Sequence, residues 1–71
     1  MRTEEISITT EYIKLEAALK FANLVGSGGE AKQLIKAGLV TVDGEVCTER
    51  GRKLRPGAAV VLDGQVTLLI R

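Results

Sequence analysis

The sequence has no histidine and no tryptophan, and only one cysteine, one tyrosine, one phenylalanine and one proline among 71 residues. Each shortage removes a class of function. Without histidine, the usual zinc constellations and the histidine-activated nucleophiles are gone. One cysteine excludes an internal disulfide, and small secreted domains usually carry several, so the chain reads as cytoplasmic. No apolar run approaches the roughly 18 residues that a membrane helix needs. The start, M-R-T-E-E-I-S, is acidic where a secretory leader has an apolar core. The length predicts one domain over residues 1–71, near the limit at which a core contributing about 3–5 kcal/mol supports folding.

Catalytic chemistry is lacking as well. None of the nine acids forms an i,i+3 or i,i+4 helical pair beside a base or metal ligand. G-S-G-G at 26–29 lacks the lysine and the serine or threonine of a nucleotide-binding P-loop. The expectation is a protein that is not an enzyme and carries no cofactor or metal.

What is present is unevenly placed charge. The net charge is only +1, but residues 31–55 hold six lysines and arginines against three acids, while residues 1–30 are acidic. A basic middle in a near-neutral chain points to a local anionic contact; solvated surface charge is the plainer alternative.

The pattern divides into short elements. Glu5–Thr9 alternates and is β-branched, the mark of an edge strand. From Leu15 the period turns helical: Leu15, Ala18, Leu19 and Ala22 fall within about 100° of arc and form a core stripe. Phe21 sits at the margin of that stripe, on the side of Lys14. It is read as a lid on the core in preference to a base-stacking residue. Asn23–Ser27 ends this helix, with Gly26 as the residue able to take positive φ.

Ser27 opens a second helix. S-G-G-E is a capping box, in which Ser27 accepts from the Glu30 N–H and Glu30 reaches back to the Ser27 N–H. Gly28 and Gly29 in the first turn cost about 1 kcal/mol each relative to alanine. Two compatible reasons exist for them: a tight interhelical turn, or backbone N–H groups left open to phosphate. Ala31, Leu34, Ile35 and Gly38 fall on one face, and Gly29, Lys32, Gln33 and Lys36 on the other. Lys32 and Lys36 repel by roughly a few tenths of a kcal/mol, with no acid between them, which favours a used face over a solvated one. Gly38 is a helix stop.

Leu39–Thr48 is a hairpin around Asp43-Gly44, the dipeptide that type I′ turns prefer. A two-residue loop puts Val40 opposite Cys47 with Val42 on the same face, so Cys47 is a small core residue. Glu49–Arg55 is the densest basic stretch, with Leu54 available as an anchor. After a Pro56-Gly57 turn, Ala59–Leu62 and Gln65–Ile70 form a second hairpin around Asp63-Gly64. Its expected inward set is Ala59, Val61, Val66, Leu68 and Ile70. The last strand is expected to pair with the first.

The ordered set K-L-E-x-x-L at 14–19, then S-G-G-E-A-K-Q-L-I-K-A-G-L-V-T-V-D-G at 27–44, resembles the RNA-binding domain family named after the fourth small-subunit ribosomal protein. The matching positions are Lys14, Leu15, Glu16 and Leu19, then Ser27, Ala31, Leu34, Ile35, Gly38, Val40, Val42 and Gly44. With the family's later G-D element, which falls at Gly57-Ala58, the match covers about 14–62, leaving 1–13 and 63–71 as edge strands and ends. S-G-G-x-A-K with R-G-R-K-L-R is similar to the stand-alone bacterial YaaA type. Three positions depart from the family: Gly28 stands for an arginine, Asp43 for an asparagine and Ala58 for an aspartate.

The resemblance implies an α+β fold, the α-L motif, with two helices packed on a small, strongly bent, mainly antiparallel sheet of about four to five strands. It implies structured RNA as the ligand, ribosomal or transfer RNA, with the ribosome or its precursors as the setting and no membrane partner. The implied RNA-binding residues are Lys14, Ser27, Gly28, Gly29, Lys32, Gln33, Lys36, Arg50, Arg52, Lys53 and Arg55. In this reading the chain is a monomeric, non-catalytic binder. The competing expectation is a protein-interaction module of the same fold that lost RNA binding, with Gly28 as its mark.

Overall fold

The computed structural model describes residues 2–71. Seven strands and two helices follow the order β1 (Arg2–Ile6), β2 (Ile13–Lys14), α1 (Leu15–Phe21), α2 (Gly28–Lys36), β3 (Val40–Val42), β4 (Glu45–Val46), β5 (Lys53–Leu54), β6 (Ala59–Leu62) and β7 (Val66–Ile70). Five strands form one sheet in the order β1-β7-β6-β3-β4, and β2 pairs with β5 in a separate two-stranded ladder. Among the described residues, only β1 and β7 run parallel. The fold is therefore α+β, with two helices beside a mainly antiparallel sheet.

The core joins both helices to the main sheet. Leu15, Ala18 and Leu19 of α1 and Ala31 and Ile35 of α2 are fully buried with Val40, Val60 and Leu68. Cys47 is buried too, and its N–H donates to the Val40 carbonyl at 3.0 Å, as the hairpin register requires. Asp43 and Gly44 both have positive φ, as a type I′ turn demands.

Both helices end in the same double hydrogen bond. In α2, Gly38 N–H donates to Ile35 and Leu39 N–H to Leu34, with Gly38 at φ +79. In α1, Asn23 N–H donates to Lys20 and Leu24 N–H to Leu19, and the left-handed position is taken by Asn23 rather than Gly26. Asparagine tolerates that conformation better than other residues with a Cβ.

Other expectations shift. The first strand lies at Arg2–Ile6 rather than Glu5–Thr9, although Ile8 still donates to the Arg71 carbonyl. The last strand is not an edge: β7 lies between β1 and β6. The second hairpin buries a different face of β6. Leu62 pairs with Val66 and Val60 with Leu68, so the loop holds Asp63, Gly64 and Gln65 instead of two residues. One added loop residue exchanges the faces of a strand. Val60 and Leu62 are buried, and Ala59 and Val61 only half-buried. Phe21 is not a lid, being 66% exposed.

That last difference is measurable. Leu19→Ala removes a fully buried side chain and should destabilise by about 2–5 kcal/mol in urea unfolding. Phe21→Ala should change stability by less than about 0.5 kcal/mol, as at other exposed positions.

Candidate nucleic-acid interface

Ser27 is the N-cap of α2, and its Oγ accepts from the Glu30 N–H at 3.2 Å. The other half of the expected capping box is displaced by one residue. Glu30 Oε2 accepts from the Gly26 N–H at 3.3 Å, not from Ser27. The acid thereby fastens the interhelical turn as well as the helix start. A Cβ built at Gly28 would meet nothing within 4 Å, and one at Gly29 would meet only Ser27 Oγ at 3.9 Å. Neither has positive φ. Tight packing therefore does not account for the glycines; the first turn of α2 is open to solvent.

Along α2, Ala31 and Ile35 are buried, while Gln33 and Lys36 are exposed and Lys32 is half-buried. Lys32 and Lys36 face an open groove of about 300 Å³ lined also by Ile35, Thr48, Glu49 and Arg50. The hairpin exit thus brings Arg50 to the lysines of the helix. Thr48 and Glu49 were not anticipated there. Their signal was positional: they join the buried Cys47 to the basic run.

The rest of that run goes elsewhere. Arg52, Lys53 and Arg55 line a second groove of about 440 Å³ with Val42, Asp43 and the Pro56-Gly57 turn. Leu54 is buried and anchors the run, as its apolar character among charges predicts. Lys53 Nζ lies 4.9 Å from the centre of the Tyr12 ring, a contact that periodicity does not reveal. Lys14 is directly opposite Lys53 in the β2–β5 ladder. Facing like charges destabilise such a ladder. Asp43 is partly occupied, because its Oδ1 accepts from the Ala59 N–H at 3.0 Å.

The backbone of the basic run is held by α1. Lys14, the N-cap of α1, makes no side-chain cap. Instead Leu15 N–H donates to the Arg52 carbonyl at 2.8 Å and Glu16 N–H to the Arg50 carbonyl at 3.1 Å. Among the described residues, Arg55 pairs with Glu11 at 3.6 Å on the surface, whereas no carboxylate pairs with Lys32, Lys36, Arg50 or Arg52. The structure therefore gathers Lys32, Lys36 and Arg50 at one groove and Arg52, Lys53 and Arg55 at another. Lys14, Ser27, Gly28, Gly29 and Gln33 lie outside both linings.

This arrangement, with a serine-capped helix, a glycine stop and the V-T-V-D-G hairpin, has a counterpart among known proteins. Residues 6–70 match the S4 domain. The chain belongs to the S4 domain family. A relative from Bacillus subtilis (strain 168), described as "Probable ribosome maturation protein RlbA", is 44% identical over 59 residues, which is 83% of this chain and 83% of that protein. The S4 domain match reaches beyond the motifs at 14–62 on both sides and takes in β2 and all of β7.

Two substitutions separate the roles of the α2 start. Ser27→Ala should cost about 1 kcal/mol in chemical unfolding, through loss of the cap. Gly28→Arg should fold with a stability within about 1 kcal/mol of wild type. Space is open there, and the gain in helix propensity offsets a cation near the positive end of the helix.

Proposed function

We propose that this S4 domain protein binds structured RNA, ribosomal RNA or ribosome precursors, without catalysing a reaction. The observation that carries the reading is the convergence of Lys32, Lys36 and Arg50 on one open groove with no carboxylate paired to any of them. Three cations around one groove suit the phosphate backbone, which supplies most of the affinity in such contacts. Ribosomal RNA is favoured as the ligand because the Bacillus relative is described as a probable ribosome maturation protein. Gln33, exposed on the same helix as the lysines, would contact phosphate, sugar or a base edge, and backbone N–H groups at the helix start would replace the family arginine, whose position is Gly28. With few side chains able to read bases, recognition is by RNA shape more than by sequence.

In this reading residues 1–71 act as one cytoplasmic, monomeric RNA-binding module without a cofactor. No helix among the described residues is long and apolar enough to cross a membrane. A protein-interaction reading has one observation in its favour, the exposure of Val46 (62%) and Leu39 on the surface.

The deciding experiment is binding to deproteinised ribosomal RNA by the Lys32→Ala, Lys36→Ala, Arg50→Ala triple variant. It should retain the wild-type unfolding curve and lose RNA binding by at least about a hundredfold. Wild-type affinity in that variant would refute the proposed surface. A partner protein retained after nuclease treatment and in high salt would favour the interaction module instead.

A further inference from the structure

The basic run is not one patch. It is divided at Gly51 between two grooves that share no lining residue. The first groove has Lys32, Lys36 and Arg50 against Glu49, and the second has Arg52, Lys53 and Arg55 against Asp43. The charge composition is the same in each: three cations and one carboxylate. The Asp43 carboxylate accepts from the Ala59 N–H and Arg55 pairs with Glu11, so among the described residues Arg52 and Lys53 are the cations of the second groove with no paired carboxylate.

The two grooves are also held in a fixed relation. The carbonyls on either side of Gly51, those of Arg50 and Arg52, both accept from the first turn of α1, at 3.1 and 2.8 Å. Leu54, 1% exposed, pins the far end of the run, and β5 is paired to β2 beside it. A loop fastened in this way cannot swing all of its cations toward one strand. Preorganisation of this kind lowers the ordering cost of a ligand that engages both sides at once.

From this division we infer that the protein clamps two separate backbone segments of a folded RNA, one in each groove, and that its ligand class is RNA whose folding brings two strands side by side. The inference rests on the RNA-binding reading and deepens it. A single extended strand satisfies one groove at a time. A folded RNA that fills both gains the linkage advantage of two tethered contacts, commonly a hundredfold or more.

The test compares two double variants on two probes, deproteinised ribosomal RNA and single-stranded oligo(U), across a salt titration. One variant is Lys32→Ala, Lys36→Ala and the other Arg52→Ala, Arg55→Ala; unfolding curves establish that both fold. Should the arginine variant unfold early, Arg52→Gln, Arg55→Gln keeps part of the aliphatic stems and replaces it. On ribosomal RNA each variant should lose about a hundredfold in affinity, and the logarithmic salt slope should fall by about 1.5 in each. On oligo(U) each should lose only about twofold, because an equivalent groove remains.

Three results would overturn the inference. If the arginine variant binds ribosomal RNA as wild type does while the lysine variant is impaired, the second groove is not a site, and RNA binding through the first stands. If each variant loses as much on oligo(U) as on ribosomal RNA, one continuous strand runs through both grooves. If both variants bind ribosomal RNA with wild-type affinity and slope, neither groove is the site, and the RNA-binding reading itself fails only if the wild-type protein binds no ribosomal RNA.

Discussion

Two backbone hydrogen bonds tie the start of α1 to the basic run, and much of the molecule's charge display depends on them. A helix begins with N–H groups that have no partner within the helix. Most helices satisfy one with a serine, threonine or aspartate side chain. At α1 the N-cap is Lys14, which makes no such bond, and the carbonyls of Arg52 and Arg50 accept from Leu15 and Glu16. Each bond contributes about 1 kcal/mol, a sizeable share of stability in so small a domain. The loop is therefore a structural part of the helix as well as a carrier of cations. Arg50, Arg52, Lys53 and Arg55 are presented by a fixed backbone, unlike a mobile basic tail.

The same region concentrates charges of one sign against their mutual repulsion. Lys14 faces Lys53 across a ladder, and Lys32 and Lys36 sit one turn apart on α2. Some relief is local: Lys53 lies over the Tyr12 ring, a contact contributing about 0.5–1 kcal/mol at an exposed site. The remainder of the repulsion is borne by the buried face beneath, where Leu15, Ile35 and Leu54 are almost wholly removed from water. An acid at any of these lysines would relieve it.

Much of this was legible in the residues. The Ser27 cap, the Gly38 stop, the Asp43-Gly44 turn and the core side of both helices follow from local chemistry and period. The motifs at 14–19 and 27–44 carried the family. Errors arose where distant contacts decide. A third loop residue, Gln65, exchanged the faces of β6, and nothing in Asp63-Gly64 itself announces it. Phe21 is apolar, but its helical position turns it away from the core, so apolar character alone misplaced it. The ladder of Ile13–Lys14 with Lys53–Leu54 joins segments of two residues each, too short to show a period. For the same reason the run at 50–55 read as one patch, although the fold deals its cations to two grooves.

The parallel pairing of β1 with β7 has a consequence for the order in which the protein can form. Arg2 lies against Val66 and Ile6 against Ile70, so β1 has no partner until residues near 70 have been synthesised. The helices and the β3–β4 hairpin are built from near neighbours and can assemble early. Pairing of β1 therefore carries the longest loop closure in the sheet. During synthesis the open edge of β1 is guarded only by Arg2, Glu4 and Glu5, charges of the kind that keep unpaired strands from joining other chains.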